Sequence, residues 1–557
     1  MRLALSQFDA TVGDLVTASD AIRRSARHAA DAGADLLVLP ELAILGYPPR
    51  DLLLRQEVVP ACEAAVATLA RDLPLPTLVG SPRRVEGGSR SIANSIALCR
   101  GGRIEAWHDK ILLPTYDVFD EARWFEPGTT PMVFDLETDE GIRRVGVLVC
   151  EDLWHAGDVP VPGGYPVDPV RMLADRNCDL VVSPSASPFV AGKHHRHEEL
   201  LGSAAELLNA PVAMVNQVGA HDDLVFDGGS MVVRPGGEKA GLLPRFEEGI
   251  AIVDVERDRV EASSRMSLVE ERFHAIRRAT ADYVRRSGHA KVVLGLSGGI
   301  DSALVAAIAT AALGPESVLG VLLPSRYSSE GSRVDARDTV DLMGIDSAEI
   351  GIEAIHAEVS RLLDPFLARD GNGLEGLADE NVQARARGLL LMTISNARSH
   401  LLLSTSNKSE MAVGYSTLYG DMCGGLAPIG DLYKSEVFEM ANWMNRHHER
   451  LGFRAPPVPE SSITKPPSAE LRPDQRDQDS LPPYDRLDSY LRERIEHGRA
   501  PSSLVGEGHL ESDEADAVER LLAISEFKRY QATIVPKLTS RAFGRGRDLP
   551  IVARWRT

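Results

Sequence analysis

The stretch Lys291 to Ser302, KVVLGLSGGIDS, has residue types and spacing suited to holding an anion. Val292–Leu294 is a short apolar run, Ser297-Gly298-Gly299 interrupts it, and Asp301-Ser302 opens an Ala/Leu-rich helical run. A strand, a Gly-rich turn and a helix N-terminus together form an anion site. Glycines let the backbone approach closely, free N–H groups point at the anion, and the helix dipole adds attraction. Ser297 and Ser302 can add hydroxyl donors. Asp301 would repel a bare phosphate, so its presence implies a bridging Mg²⁺. No Gly-Lys-Ser/Thr follows, so this is not the Walker pattern.

A second set is dispersed through the first half. Glu41 closes LLVLPE, Lys110 sits in WHDKILLP, and Cys150 ends the apolar run Val145–Val149. Singly, these read as a solvated turn glutamate, a surface lysine and a packed thiol. Together they form a chemical set. A cysteine at a strand-to-helix elbow can act as nucleophile, and a helix N-terminus and a lysine are expected to lower its pKa. A carboxylate can take the thiol proton, and the lysine can stabilise a tetrahedral oxyanion.

The elements that must position these groups are short strands alternating with helices. Leu3–Phe8 reads as an opening strand, Ala18–Ala32 as a helix, and Leu36–Leu39 as the strand leading into Glu41. GADLLVLPE and NCDLVVSPS echo one another, which suggests an internally two-fold layered fold. Cys150 is followed by a helix start at Glu151-Asp152, and Val215–Ser230 reads as a strand and then a polar loop. His194–His197, HHRH, reads as a solvated helix start rather than a metal site. Glu256–Glu271 turns charged and helical, and a boundary near residue 265 separates segments 1–264 and 265–557. Beyond it, helix Arg272–Ser287, strand Val318–Leu323, helix Val334–Met343 and strand Ala348–Ile352 imply a parallel sheet covered on both faces. Ligands should then sit at the carboxyl ends of its strands. Ile463–Asp485 is Pro-rich and polar, a long loop of the kind used as a lid.

Bulk properties narrow the options. The 557 residues exceed one core, and 43% apolar with 25% charged residues is ordinary for a globular protein. A net charge of −20 argues against a dedicated nucleic-acid or anionic-membrane surface. The five cysteines form no CxxC pair and are odd in number, which suits a reducing cytoplasm and argues against a zinc or disulfide framework. The opening MRLALSQFDATVGD does not read as a signal peptide, and no run reaches the length of a membrane span.

The SGGIDS string resembles the pyrophosphate loop of ATP pyrophosphatases, which cleave ATP to AMP and pyrophosphate while activating a carbonyl group. The contexts LPELAILGYPPRDLL, KILLPTYDVFDEARWFEPG and VCEDLW resemble glutamine-hydrolysing members of the nitrilase superfamily. That resemblance implies Glu41 as general base, Lys110 as oxyanion stabiliser, Cys150 as nucleophile and Glu121 as the glutamate that orients the lysine. It implies Tyr116, Ser187 and Lys193 as glutamine-binding residues. Some relatives carry arginine at the last position, and lysine keeps the charge but not bidentate binding.

ENVQARARG, TSNKSEMAVGYSTLYGDMCGG, ITKPPSAEL, DSLPPYD and SRAFGRGRDLPI resemble NAD synthetases in the same order. The whole chain is therefore similar to the glutamine-dependent NAD synthetase family. The implied fold is a nitrilase-like α-β-β-α domain followed by a doubly wound, Rossmann-like ATP pyrophosphatase domain. The implied ATP contacts are Gly295, Leu296, Ser297, Gly298, Gly299, Ile300, Asp301, Ser302 and Thr405. Asn381, Glu410 and Lys528 match deamido-NAD contacts, and Asp301 and Glu410 lie near Mg²⁺. The family reading carries ATP, glutamine and deamido-NAD as substrates, a homo-oligomer, no nucleic-acid or membrane partner, and a closed passage for ammonia.

Three rivals remain at this level. A tRNA-thiolating ATP pyrophosphatase would want cysteine pairs and a basic face. A GMP-synthetase-like enzyme would carry a Cys–His–Glu glutaminase. A non-catalytic docking module in the first half would not need Glu41, Lys110 and Cys150 together.

Overall fold

The computed structural model describes residues 1–156, 164–260, 265–367 and 374–553. The chain divides into two compact units, Met1–Arg265 and Met266–Thr557.

In the first unit the strands are β1 (Arg2–Gln7), β2 (Leu36–Val38), β3 (Thr77–Arg84), β4 (Ile92–Arg100), β5 (Arg103–Asp109), β6 (Met132–Thr138) and β7 (Gly141–Val147). There follow β8 (Leu180–Ser185), β9 (Val212–Asn216), β10 (Val218–His221), β11 (Leu224–Asp227), β12 (Met231–Val233), β13 (Lys239–Leu242) and β14 (Gly249–Asp254). Two six-stranded sheets result, β14-β1-β2-β3-β4-β5 and β13-β12-β9-β8-β7-β6.

Side chains of period two sort these strands into layers. Leu36 and Val38 of β2 pack with Val147, Leu180 and Val182 between the sheets. Leu37, between them in sequence, packs outward with Ile22, Ala26 and Ala29 of helix Leu15–Asp31. Helix Lys193–Leu208 covers the other sheet through Leu200, Leu201, Ala204 and Ala205. The result is the α-β-β-α layering the sequence implied.

The sequence echo has a structural counterpart. Read from β5 to β14, neighbouring strands pair antiparallel, antiparallel, parallel, parallel, antiparallel. Read from β13 to β6, the same order recurs, and β2 and β8 occupy corresponding places. These are the strands within the two echoing passages.

Three local readings are corrected. Residues 218–227 are a buried β-hairpin, β10–β11, rather than a polar loop, with Asp222 at its turn in the left-handed region. The charged stretch after Glu256 is not helical throughout. The helix starts at Leu268, where Ser267 caps it through the Glu270 N–H. Cys150–Ala156 is a 3₁₀ turn rather than an α-helix start, because Cys150 itself is left-handed at φ 44°.

In the second unit, β15 (Val292–Leu296), β16 (Val318–Leu322), β17 (Asp346–Glu349) and β18 (Leu401–Leu402) form an all-parallel sheet in the order β17-β16-β15-β18. After β15 the chain moves out through β16 and β17, then returns on the other side of β15 as β18. The crevice beyond the carboxyl end of β15 is therefore a topological switch point, where open α/β sheets bind ligands. The edge strand β17 starts and ends earlier than the sequence suggested, leaving Ile350–Ile352 in the following turn. Helix Ile300–Leu313, which leaves β15, is apolar on all sides and buried from Ala303 to Thr310.

Candidate active sites

The first unit gathers its candidate catalytic residues at the ends of strands. Glu41 lies just beyond β2, Lys110 just beyond β5, and Cys150 just beyond β7. The Lys110 ammonium lies 2.7 Å from Glu41 Oε1 and 2.8 Å from Glu121 Oε1. All four residues are buried. Glu41 also accepts from Asn94 Nδ2 at 2.6 Å and, through Oε2, from the Ala186 N–H at 3.0 Å. Tyr47 donates its hydroxyl to Glu121 Oε1 at 2.7 Å. Burial would push the Lys110 ammonium down, but Glu121 and Glu41 outweigh it and hold it well above the lysine range.

The Cys150 thiol does not behave as expected from sequence. Burial first, and Glu41 next, push it well above the ordinary thiol range, and Lys110 offsets only part of that. The resting thiol is therefore protonated and needs a base to become a nucleophile. Its left-handed backbone is held by a Cys150 N–H bond to Ser183 Oγ at 3.2 Å.

Around this centre, Tyr116 donates to both oxygens of Glu151, at 3.0 and 3.1 Å, and Tyr165 donates to Glu151 Oε1 at 2.9 Å. Ser187 donates its N–H to Asn216 Oδ1 at 2.8 Å, and its hydroxyl meets His197 Nε2 at 3.2 Å. Lys193 donates to the Pro188 carbonyl at 3.0 Å and stands over the Trp154 ring, 5.2 Å from its centroid. His197 corrects the solvated reading of HHRH. It is buried, packed edge-on against Trp154, and pushed well below the histidine range by burial and then by Lys193.

In the second unit a cavity of about 310 Å³ opens at the switch point. Gly295, Leu296, Ser297, Gly299, Ile300, Asp301, Ser302, Thr405 and Glu410 all line it. Ser302 Oγ holds the turn, donating to the Gly299 carbonyl at 3.0 Å and meeting Ser297 Oγ at 3.2 Å. Gly298 lies behind the lining, at φ 77°, where an added Cβ would fall 2.1 Å from the Ser332 carbonyl oxygen. Only glycine fits that close approach.

Across the turn, Asp301 Oδ1 accepts from Asn407 Nδ2 at 2.9 Å. Lys434 Nζ lies 2.5 Å from Asp301 Oδ2 and 3.2 Å from Glu410 Oε1. Burial, despite Lys434 and with Asp301 and Asp477 adding to it, pushes the Glu410 carboxyl up to about 8. Among the described residues, no group of three or more His, Cys, Asp or Glu is arranged to hold a metal ion. The long loop supplies one wall of the cavity, from Lys465 to Leu471 and again at Asp477.

Asn381 and Lys528 are not part of the cavity lining. They grip one short segment instead. Lys528 donates to the carbonyls of Gly414 and Ser416 at 2.8 and 2.7 Å, and Thr417 donates its hydroxyl to Asn381 Oδ1 at 2.8 Å.

Comparison with known proteins bears on both units. The NAD synthase family model matches residues 272–532, and the carbon-nitrogen hydrolase model matches residues 2–265. A Synechocystis protein named glutamine-dependent NAD(+) synthetase is 43% identical, over 99% of this chain and 98% of its own. One of the same name from Acinetobacter baylyi is 39% identical, over 100% of this chain and 99% of its own. The chain belongs to the glutamine-dependent NAD(+) synthetase family. A solved structure of such a synthetase from Acinetobacter baumannii, in complex with ADP, superposes with a TM-score of 0.77 at 37% identity, covering 100% of this chain and 99% of that one. One from Cytophaga hutchinsonii shares the fold, with a TM-score of 0.82 at 20% identity over 100% and 98%.

For this synthetase-family chain, several polar groups at the two sites had no mark in the sequence. Asn94 and Tyr47 look like ordinary strand and loop residues, yet they hold Glu41 and Glu121. Lys434 is separated from Asp301 by more than a hundred residues, and the packing of helix Lys434–Arg446 against helix Ile300–Leu313 brings them together. The DLYK helix start was the available signal, since a lysine at a helix N-terminus opposes the dipole and needs a carboxylate nearby.

Proposed function

We propose that this chain makes NAD⁺ from deamido-NAD⁺, ATP and glutamine. In the first unit Glu41 takes the Cys150 proton, and the thiolate attacks the glutamine carboxamide carbon. Lys110, oriented by Glu121, stabilises the oxyanion. Ammonia leaves with the proton that Glu41 took, and water, deprotonated by Glu41, then releases glutamate from the thioester and restores the thiol. Tyr116, Ser187 and Lys193 hold the glutamine. In the second unit a carboxylate oxygen of deamido-NAD⁺ attacks the α-phosphorus of ATP, and pyrophosphate departs. Ammonia then attacks the acyl carbon, loses a proton, and expels AMP.

The carrying observation is a buried cysteine at a strand elbow together with a buried glutamate–lysine couple, in a chain that also has a Gly-turn cavity. Residues 295–302 and Thr405 are assigned to ATP, and Asn381, Glu410 and Lys528 to deamido-NAD⁺. Asp301 and Glu410 are hard oxygen donors, and Lys434 lies against both in this structure. They fit Mg²⁺, which takes one or two carboxylates and fills its shell with phosphate and water. Bound there, Mg²⁺ would neutralise charge on the phosphates.

Two finer readings have supporting features. Leu362 and Phe366 on helix Glu353–Leu367, with Leu377 and Leu389 on helix Leu377–Arg398, are exposed apolar side chains that support a homo-oligomer. Five unpaired cysteines support a cytoplasmic setting. Among the described residues no helix is long and apolar enough to cross a membrane.

The test is NAD⁺ formation from deamido-NAD⁺, ATP and glutamine, with each omitted in turn. Ammonium should replace glutamine, and AMP and pyrophosphate should appear in equal amounts with NAD⁺. Product formation without ATP would overturn the reading.

A further inference from the structure

Asp152 is fully buried and is not itself part of the nucleophile, base and lysine set. Its two oxygens face different segments. Oδ1 accepts the main-chain N–H of Ile111 at 3.1 Å and of Leu112 at 2.8 Å. Oδ2 accepts the N–H of Val149 at 2.9 Å. Ile111 directly follows Lys110, and Val149 directly precedes Cys150. One carboxylate thus ties the loop that carries the lysine to the elbow that carries the thiol.

We infer that Asp152 is a positioning residue for glutamine hydrolysis, fixing the Lys110 ammonium relative to the Cys150 thiol. The inference rests on the glutaminase reading above. Two features make the carboxylate specific for this task. It is acceptor-only on both oxygens, so it satisfies donors on both sides at once. Between the two peptide segments, those buried N–H groups would otherwise lack partners. The charged groups around the site are Glu41, Lys110, Glu121 and Glu151, and His108 Nε2 stands 3.9 Å from Asp152 Oδ2.

An amide cannot reproduce the clamp. In Asp152→Asn, an oxygen turned toward Ile111 and Leu112 leaves the NH₂ facing the Val149 N–H. Turned the other way, the NH₂ faces the loop donors. One tie breaks in either orientation, with almost no change in volume. Lys110 then shifts relative to the forming oxyanion, a displacement that lowers turnover more than substrate binding.

The experiment compares full-length wild type and Asp152→Asn in three measurements. The expected results are a kcat for glutamine hydrolysis about 10–100-fold lower, as for other supporting groups, a glutamine KM within about twofold, and unchanged NAD⁺ synthesis from ammonium. Alkylation of Cys150 by iodoacetamide should change its pH profile, which a purely structural role would not alter. Unchanged kcat would overturn the inference, as would equal losses in the glutamine and ammonium reactions. Absence of glutamine hydrolysis in the wild type would instead overturn the glutaminase reading. If the variant does not fold, amide exchange in the wild type decides. The Ile111, Leu112 and Val149 amides should exchange slowly and together, and independent, much faster exchange at Val149 would overturn the clamp.

Discussion

The Lys434 ammonium lies 2.5 Å from the Asp301 carboxylate, bridging a helix N-terminus in the Gly-rich turn to a second helix N-terminus far along the chain. Asp301 is thus held by a cation on one oxygen and by the Asn407 amide on the other. Asp301→Asn should abolish ATP-dependent NAD⁺ formation and leave glutamine hydrolysis in place. Mg²⁺ titrations followed by both assays check it, and near-normal synthesis with unchanged Mg²⁺ dependence would remove Asp301 from the metal role.

Gly298→Ala addresses the turn itself. The new methyl would meet the Ser332 carbonyl at 2.1 Å, from a backbone angle that favours glycine. The positive φ alone costs about 1 kcal/mol, and the clash adds to it. ATP binding, measured calorimetrically, should weaken at least tenfold while glutamine hydrolysis persists. Wild-type affinity would mean the turn yields easily.

The loop Ile463–Asp485 is held to the cavity rim by charged contacts. Lys465 pairs with Asp335 at 2.7 Å, and Glu470 accepts from the hydroxyls of Ser329 and Ser332 at 2.9 and 2.8 Å. Exclusion of water from an acyl-adenylate calls for such a cover. ATP with deamido-NAD⁺ should slow proteolytic cleavage within the loop. Equal cleavage with and without them would count against a lid.

The acid side of the glutamine reaction should follow Glu121. Burial chiefly, and Glu41 in addition, push this carboxyl up to about 7, against the pull of Lys110. Raised in this way, it is protonated below about 7 and accepts less well from the lysine. Glutamine hydrolysis should fall as pH drops through that value, and Glu121→Gln should remove that limb. A profile identical in wild type and variant would assign the limb to another group.

Cys150→Ala should lose glutamine-dependent synthesis by several orders of magnitude, because no neighbouring group replaces the nucleophile. Synthesis from added ammonium should remain and rise with pH, since NH₃ rather than NH₄⁺ carries the reactive lone pair. Retained glutamine use would reduce Cys150 to a packing residue.

What could be read from sequence was whatever local chemistry determined. Glu41 and Cys150 each follow a short apolar strand and Lys110 a strand of mixed polarity, so their place at strand ends followed from the pattern. The Gly-rich turn after Val292–Leu296 was equally local. Asp152 was not readable in this way, because its partners are main-chain N–H groups, two of them some forty residues away, that carry no side-chain signature. His197 was misread for a related reason. Its helix is solvated on one face only, and position 197 turns inward to Trp154. The high thiol pKa reflects burial, which a helix-dipole argument from sequence does not include.

The correspondence of β2 and β8 has a consequence for where the thiol chemistry lies. Glu41 and Ser185 end the two echoing passages, and the Glu41 N–H approaches the Ser185 carbonyl at 3.4 Å while Ala186 donates back to Glu41 Oε2. The site is thus a seam. One half contributes Glu41, Lys110 and Glu121, and the other contributes Cys150, Asp152 and Ser187. Cut between β5 and β6, neither piece would hold more than a fraction of a reaction centre. On the proposed glutaminase reading, activity belongs to the joint between two similar halves, each supplying what the other lacks.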